Sequence, residues 1–290
     1  MTTFPLNKRR CCAGVGLLIL TVTLAGCSTT AITPGAIADS EDALYATSPA
    51  NVASLSEVVQ RNPNDPQAFN MRGTVLGQAG KYSEALADFS KAIALDPNYT
   101  QAYANRGLVY RQTNKLDLAL ADYNKALALD PSYAAAYLGR GMVYRQNKQL
   151  ILALQDFNKA IAIRPDNAQA YYNRGLLYQS QGQHPFAIDD FSTATGLAPQ
   201  QADPMIARGL SRLALNDLKA AASDLDDAVQ IEPQNVHAWT SRGLAYERQG
   251  DSERAAGSYA KALNISKDYE PAKVGFARVG GKLGQSYQTF

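Results

Sequence analysis

Arginine recurs at Arg72, Arg106, Arg140, Arg174, Arg208 and Arg242, and aspartate at Asp88, Asp122, Asp156, Asp190 and Asp224. Both series step by 34 residues. A guanidinium is a planar fork of donors that can meet a carboxylate through two parallel hydrogen bonds. Two such series in phase point to one of two chemistries: a ladder of internal ion pairs, or a row of cations facing an anionic ligand. Aspartates recurring beside the arginines favour the ladder, whose role is to fix register more than to add stability. The sixth copy carries Ser258 in the aspartate phase. Pairing within a unit would leave Arg242 without its carboxylate, and pairing with the preceding unit would leave Arg72 without one. Both registers stay open.

Nothing else in the body is spaced for covalent or metal chemistry. The two histidines, His184 and His237, fall in different units, too far apart for a dyad. His184 reads as a half-buried packing residue and His237 as a solvated one near a helix start. All three cysteines lie in the first 27 residues, which excludes a His/Cys metal site in the body. There is no glycine-rich phosphate loop, no HExxH and no GxSxG. The expectation is a protein that is not an enzyme and uses no cofactor and no metal. Lys and Arg number 28 against 26 Asp and Glu, a net charge of +2. That balance argues against a nucleic-acid partner. With 46% apolar and 19% charged residues the chain has the composition of a folded protein.

The elements that must position these residues repeat with them. Prolines 63, 97, 131, 165, 199 and 233 share one phase. Gly73, Gly107, Gly141, Gly175, Gly209 and Gly243 share a second, and alanines 85, 119, 153, 187, 221 and 255 a third. A fixed period in this range means stacked repeats. In the second unit Tyr103, Gly107 and Tyr110 lie on one helical face, and Leu116, Ala119, Leu120, Tyr123, Ala126 and Leu127 on another. Asn114-Lys115 separates the two helices, and Asp130-Pro131 ends the second. Small residues let the paired helices approach closely while aromatics fill the gaps.

The unit resembles the tetratricopeptide repeat (TPR): an aromatic (Phe69, Tyr103, Tyr137, Tyr171, Trp239), then glycine, tyrosine, two alanines around a second aromatic, and proline. The resemblance implies an all-α, right-handed TPR solenoid of six full 34-residue helix-turn-helix repeats over residues 66–269, with flanking cap helices and one continuous core. The N-terminal cap or degenerate repeat spans 41–65, with a helix from Ser48-Pro49 to about Arg61. The C-terminal capping helix and tail span 270–290. The fifth unit departs most, with Met205, Arg212 and Leu225 at aromatic positions, so looser packing is expected there. Most TPR units carry leucine where this chain carries the ladder arginines.

Upstream of the repeats, Lys8-Arg9-Arg10 precedes an uncharged, mostly apolar run that ends in Leu24-Ala25-Gly26-Cys27. The run is shorter than the roughly 20 residues a membrane helix needs. A basic cluster before a short apolar stretch has the layout of a secretory signal. The segment resembles that of bacterial lipoprotein precursors. The resemblance implies cleavage after residue 26, acylation of Cys27, and export to the periplasmic face of the outer membrane, with membrane contact through the lipid alone. Residues 27–40 are small and polar and read as a flexible tether.

The same family resemblance implies that the first helix of each unit lines a concave groove for protein or peptide partners. Its residues are expected to be Asn70 and Thr74; Leu108 and Arg111; Leu138, Met142 and Arg145; Tyr172, Leu176 and Gln179; Ile206, Leu210 and Leu213; Thr240, Leu244 and Glu247. Part of this stripe is expected to pack against neighbouring first helices. Recognition of an acidic C-terminal tail is not expected, because the sites that carry lysine and asparagine in that TPR subtype, such as Ala104 with Leu108 and Leu138 with Met142, carry neither here. The whole chain is similar to outer-membrane TPR lipoproteins that act as adaptors for cell-wall hydrolases and a periplasmic protease. The other readings are an assembly factor or pilotin for outer-membrane protein or secretion complexes, and a homodimer formed through the end helices.

Overall fold

The computed structural model describes residues 47–282 and Tyr287. Cys27, the signal segment and the tether lie outside the described residues, which all fall within one compact unit. Helix α1 (Pro49–Arg61) is capped by Ser48, whose side chain accepts from the Asn51 amide. Six helix pairs follow: α2 (Pro66–Gln78) and α3 (Tyr82–Leu95); α4 (Thr100–Gln112) and α5 (Leu116–Leu129); α6 (Ala134–Gln146) and α7 (Leu150–Ile163); α8 (Ala168–Ser180) and α9 (His184–Leu197); α10 (Ala202–Ala214) and α11 (Leu218–Ile231); α12 (Val236–Gln249) and α13 (Ser252–Ile265). A single helix, α14 (Glu270–Arg278), closes the stack. The fold is an all-α helical repeat.

The turn inside each pair is set by one residue in the left-handed region: Gly80, Asn114, Lys148, Gly182, Asn216 and Gly250. The next amide then reaches back over the last helical turn, as Lys81 N–H does to the Leu76 carbonyl at 2.8 Å. Lys148 is the one position in this series filled by neither glycine nor asparagine.

Within a pair, the repeat glycine lies against the second-helix aromatic. A Cβ at Gly73 would come within 2.9 Å of the Phe89 ring, and at Gly141 within 2.8 Å of Phe157. Phe89, Tyr123, Phe157, Phe191 and Tyr259 are essentially fully buried. Each contributes about 1.5–3 kcal/mol by leaving water. The core runs along the stack as a series of buried clusters joined by half-buried residues: Ile93 packs against two of them, and Tyr137 against one of these and the next. Each unit packs on its neighbours.

The fifth unit is not loosely packed. Met205, Leu213 and Leu225 join Trp239, Tyr246, Tyr259 and Phe276 in one buried cluster. Leu225 replaces a ring but closes directly on Gly209. Arg212, where other units have tyrosine, pairs with Asp224 at 2.8 Å.

First helices of adjacent units touch one another (α4 with α6, α10 with α12), whereas second helices pack against first helices. The first helices therefore form the tighter, inner surface. Among the described residues no helix is long and apolar enough to cross a membrane.

Candidate binding groove

The periodic charges pair within units. Arg140 donates from Nε and Nη2 to the two carboxylate oxygens of Asp156, both at 2.8 Å. Arg72–Asp88, Arg106–Asp122 and Arg174–Asp190 repeat this two-bond geometry at 2.7–2.9 Å, and Arg208–Asp224 has a 2.7 Å bond beside a longer one. The carboxylates are about 5% exposed or less, so the hydrogen bonds replace water. Bonding to aspartate pushes the pKa of Arg72, Arg106, Arg140 and Arg174 above the usual value. Each guanidinium also lies over its unit's first aromatic, from 5.4 Å at Trp239 to 5.8 Å at Phe69 where a ring is present.

A third contact links units, and it answers the question posed by Ser258. The free Nη1 reaches back to Ser56, Ser90, Asn124, Asn158 and Ser192 in turn. In the sixth unit the two slots exchange: Arg242 takes its carboxylate from Asp226 of the preceding unit at 2.6 Å and a hydroxyl from Ser258 at 2.9 Å. Every ladder arginine thus has one carboxylate. The Ser/Asn phase that ends in Asp226 is also 34-periodic and was a readable signal.

The structure divides the expected groove residues by row. Asn70, Leu138, Ile206 and Leu213 are buried and offer little surface to a partner. Leu138 joins Phe157 and Leu177, and Ile206 and Leu213 join the C-terminal cluster, because these side chains fill the seam between successive helices. Asn70 accepts from Asn105, and its backbone carbonyl accepts from Thr74. The row Leu108, Met142, Leu176 and Leu244 is half-buried, and Leu210 is 37% exposed. Gln179 bonds the Ala207 carbonyl and Ser211. Glu247 accepts from Arg278 and from Tyr259, and these bonds hold its carboxyl below the usual range. Burial pushes the Tyr172 phenol up to about 12. At the far end Thr240, Leu244, Tyr259, Val274 and Arg278 line a cleft of about 400 Å³ between α12 and α14.

His184 is half-buried with Nδ1 unpartnered, and His237 meets the Tyr269 hydroxyl at 2.9 Å. Among the described residues no His/Cys/Asp/Glu cluster could hold a metal. The sequence reading missed an apolar row on the second helices: Leu118, Leu152 and Phe186 share one phase in three consecutive units and are exposed, beside Ile151 at 76%. Glu84 and Arg254 hold that phase in the first and last units.

Family models described as TPR repeat match residues 73–113, 107–148 and 141–182, and models described as tetratricopeptide repeat match 168–201 and 206–271. The chain belongs to the tetratricopeptide repeat family. TPR proteins generally act as non-catalytic scaffolds that bind protein or peptide partners. Among the solved structures similar to it, three illustrate the likeness. One is YrrB, described as a TPR protein with an unusual peptide-binding site (27% identity, 64% of this chain and 96% of that one, TM-score 0.54). Another is pilF of Pseudomonas aeruginosa (20% identity, 76% and 99%, TM-score 0.67). The third is the Cut9–Hcn1 hetero-tetramer of APC/C (20% identity, 78% of this chain but 45% of that chain, TM-score 0.70). No curated protein matches the chain.

Proposed function

We propose that this TPR protein is a non-enzymatic, lipid-anchored scaffold on the periplasmic face of the outer membrane, and that its inner groove captures protein partners for cell-envelope regulation, cell-wall hydrolases or a periplasmic protease among them. The observation that carries the groove is the row Leu108, Met142, Leu176, Leu210 and Leu244, half-buried or exposed in five consecutive units. An apolar stripe of this length on a soluble surface marks a binding site. Peptide binding by the similar protein YrrB supports the same use of the fold. The anchor rests on Leu24-Ala25-Gly26-Cys27 behind its basic and apolar flanks. Acyl chains contribute about 0.8 kcal/mol per buried CH₂, so several chains on one residue hold stably.

Two measurements test the two halves. Leu176→Asp with Leu210→Asp is expected to reduce partner capture by about tenfold or more in crosslinked intact cells, with helical content unchanged. Leu210→Asp alone, at the most exposed site of the row, is the arm that disturbs the core least. Loss of barrel-assembly or secretin components in place of wall enzymes would favour an assembly factor; unchanged capture would reject the groove. Cys27→Ala is expected to leave the precursor uncleaved and absent from the outer membrane, and normal maturation of that variant would reject the anchor.

A further inference from the structure

The groove surface carries one row whose charges are not accounted for. The twelfth residue of each unit, in the last turn of the first helix, is Gly77, Arg111, Arg145, Gln179, Leu213 and Glu247 in order. Leu213 is core, Gln179 is bonded to two acceptors, and Glu247 is paired with Arg278. Arg111 and Arg145 are different. Among the described residues neither has a carboxylate within ion-pair distance, although the ladder arginines and Arg61, Arg164, Arg212, Arg254 and Arg278 all do; Arg248 also lacks one, but its guanidinium donates to the Leu213 carbonyl. The Nε of both is buried without a hydrogen-bond partner.

The surroundings add little to offset the charge. Arg145 donates to the Asn173 side chain at 3.3 Å, a long bond. The matching position facing Arg111 is Gly139, which has no side chain to accept, and the neighbouring polar group is the Tyr123 phenol. The first helices that carry them, α4 and α6, are in direct contact, and the two arginines hold the same place on each. Burial holds Arg145 below its usual pKa, and the charge of Arg111 pushes in the same direction. Two half-buried guanidiniums from touching first helices, without a counter-ion among the described residues, are complementary to an anion placed between them. Beside them lie Leu108 and Met142 of the apolar row, so a ligand that reaches the charge also covers that row.

We propose that Arg111 and Arg145 form a carboxylate-binding subsite that anchors an aspartate or glutamate side chain of an otherwise apolar partner peptide. This rests on the groove reading above and adds the chemistry of the partner. It differs from clamping of a terminal carboxylate by lysine and asparagine, since both donors are arginines at the ends of the first helices and the apolar row continues on either side.

The test is a selection on the full chain from phage-displayed random peptides of about a dozen residues, fused at their C-termini so that only side chains supply carboxylates. The selected peptides are expected to share one acidic position flanked by apolar residues. A synthetic peptide with that acid changed to its amide is expected to bind at least about tenfold more weakly. Arg111→Gln with Arg145→Gln is expected to keep its melting temperature and to bind the acid and amide peptides equally. Selected peptides with no acidic position, or an acid preference that survives the double substitution, overturn the subsite while leaving the groove intact. Displacement of the peptide by inorganic phosphate far more readily than by chloride assigns the pair to phosphate and also overturns it. Peptides insensitive to Leu108→Asp, the row residue beside the pair, or no peptides at all, reject the groove and the subsite with it. Should the double variant fail to fold, the acid-to-amide comparison on the unaltered chain decides alone.

Discussion

Replacing Gly139 by alanine is expected to destabilise the stack by about 2–3 kcal/mol, the overpacking range. At about 2–4 °C per kcal/mol for a chain of this size, the melting temperature falls by several degrees. The sign is the informative part, because glycine to alanine in a helix ordinarily stabilises by about 1 kcal/mol. Here the new methyl would clash with the hydroxyl-bearing edge of the Tyr123 ring, 2.5 Å from Cε1 and 2.6 Å from its hydroxyl oxygen. Two second helices carry tyrosine at this ring position, Tyr123 and Tyr259, and in both cases the next first helix supplies glycine, Gly139 and Gly275. Behind Phe89 and Phe157 the same place holds Asn105 and Asn173. Adding Tyr123→Phe is therefore expected to restore most of the loss, since a phenylalanine ring coexists with a side chain there in the neighbouring units. Gly196→Ala is the control: it is helical, with nothing within 4 Å of the added atom, and is expected to raise stability. Equal effects at Gly139 and Gly196 would refute the pairing of tyrosine with glycine. Thermal melts of the four chains suffice.

This coupling shows what was legible in the sequence and what was not. The helix pairs and their turns could be read because the same residues recur six times: the glycines, the alanines and the prolines repeat what the packing demands. The cap helices were legible for a different reason, through Ser48-Pro49 before α1 and Gly280-Gly281 after α14, where local signals suffice. The pairing of Tyr123 with Gly139 lay in the sequence as well, but only as a correlation between two departures from the pattern. Exposure was the hardest quantity. Leu138 and Leu176 both fall on first helices, yet Leu138 enters the core and Leu176 stays half-buried. Which row closes the seam between successive helices depends on how tightly they approach, and periodicity alone does not carry that distance. The fifth unit failed as an expectation because each odd residue was judged singly. Arg212 and Leu225 are unusual for a TPR unit, but together with Asp224 and Gly209 they form a bonded and close-packed alternative. For Arg111 and Arg145 the residue types and the face were visible, whereas the lack of any carboxylate near them required the structure.

The exchange at the sixth unit offers the sharpest test of what the ladder requires. Arg242 is the most buried ladder arginine, its side chain 4% exposed, and Asp226 is its carboxylate. Asp226→Ala leaves that guanidinium with the Ser258 hydroxyl as its remaining side-chain acceptor among the described residues and strands it in the stack. Breaking a buried pair from one side costs about 3–5 kcal/mol. Because Asp226 is itself 33% exposed and water can approach its place, the low end, about 3 kcal/mol, is expected. Removing both partners with Arg242→Leu and Asp226→Ala is expected to recover only part of this, although leucine is what most TPR units carry at that position. What is not recovered is the stacking of the guanidinium on Trp239 and Tyr246, at least about 0.5–1 kcal/mol for each contact and more where it is desolvated. The decisive variant exchanges the slots, Asp226→Ser with Ser258→Asp, which gives the sixth unit the arrangement of Arg106 with Asp122 and Ser90. If one carboxylate per arginine is the requirement, from whichever side it comes, the exchanged chain melts near the unaltered one in urea. If it melts like Asp226→Ala, the ladder is not interchangeable between units, and the 2.6 Å bond together with the Tyr246 hydroxyl on Asp226 at 2.8 Å is a local structure of its own.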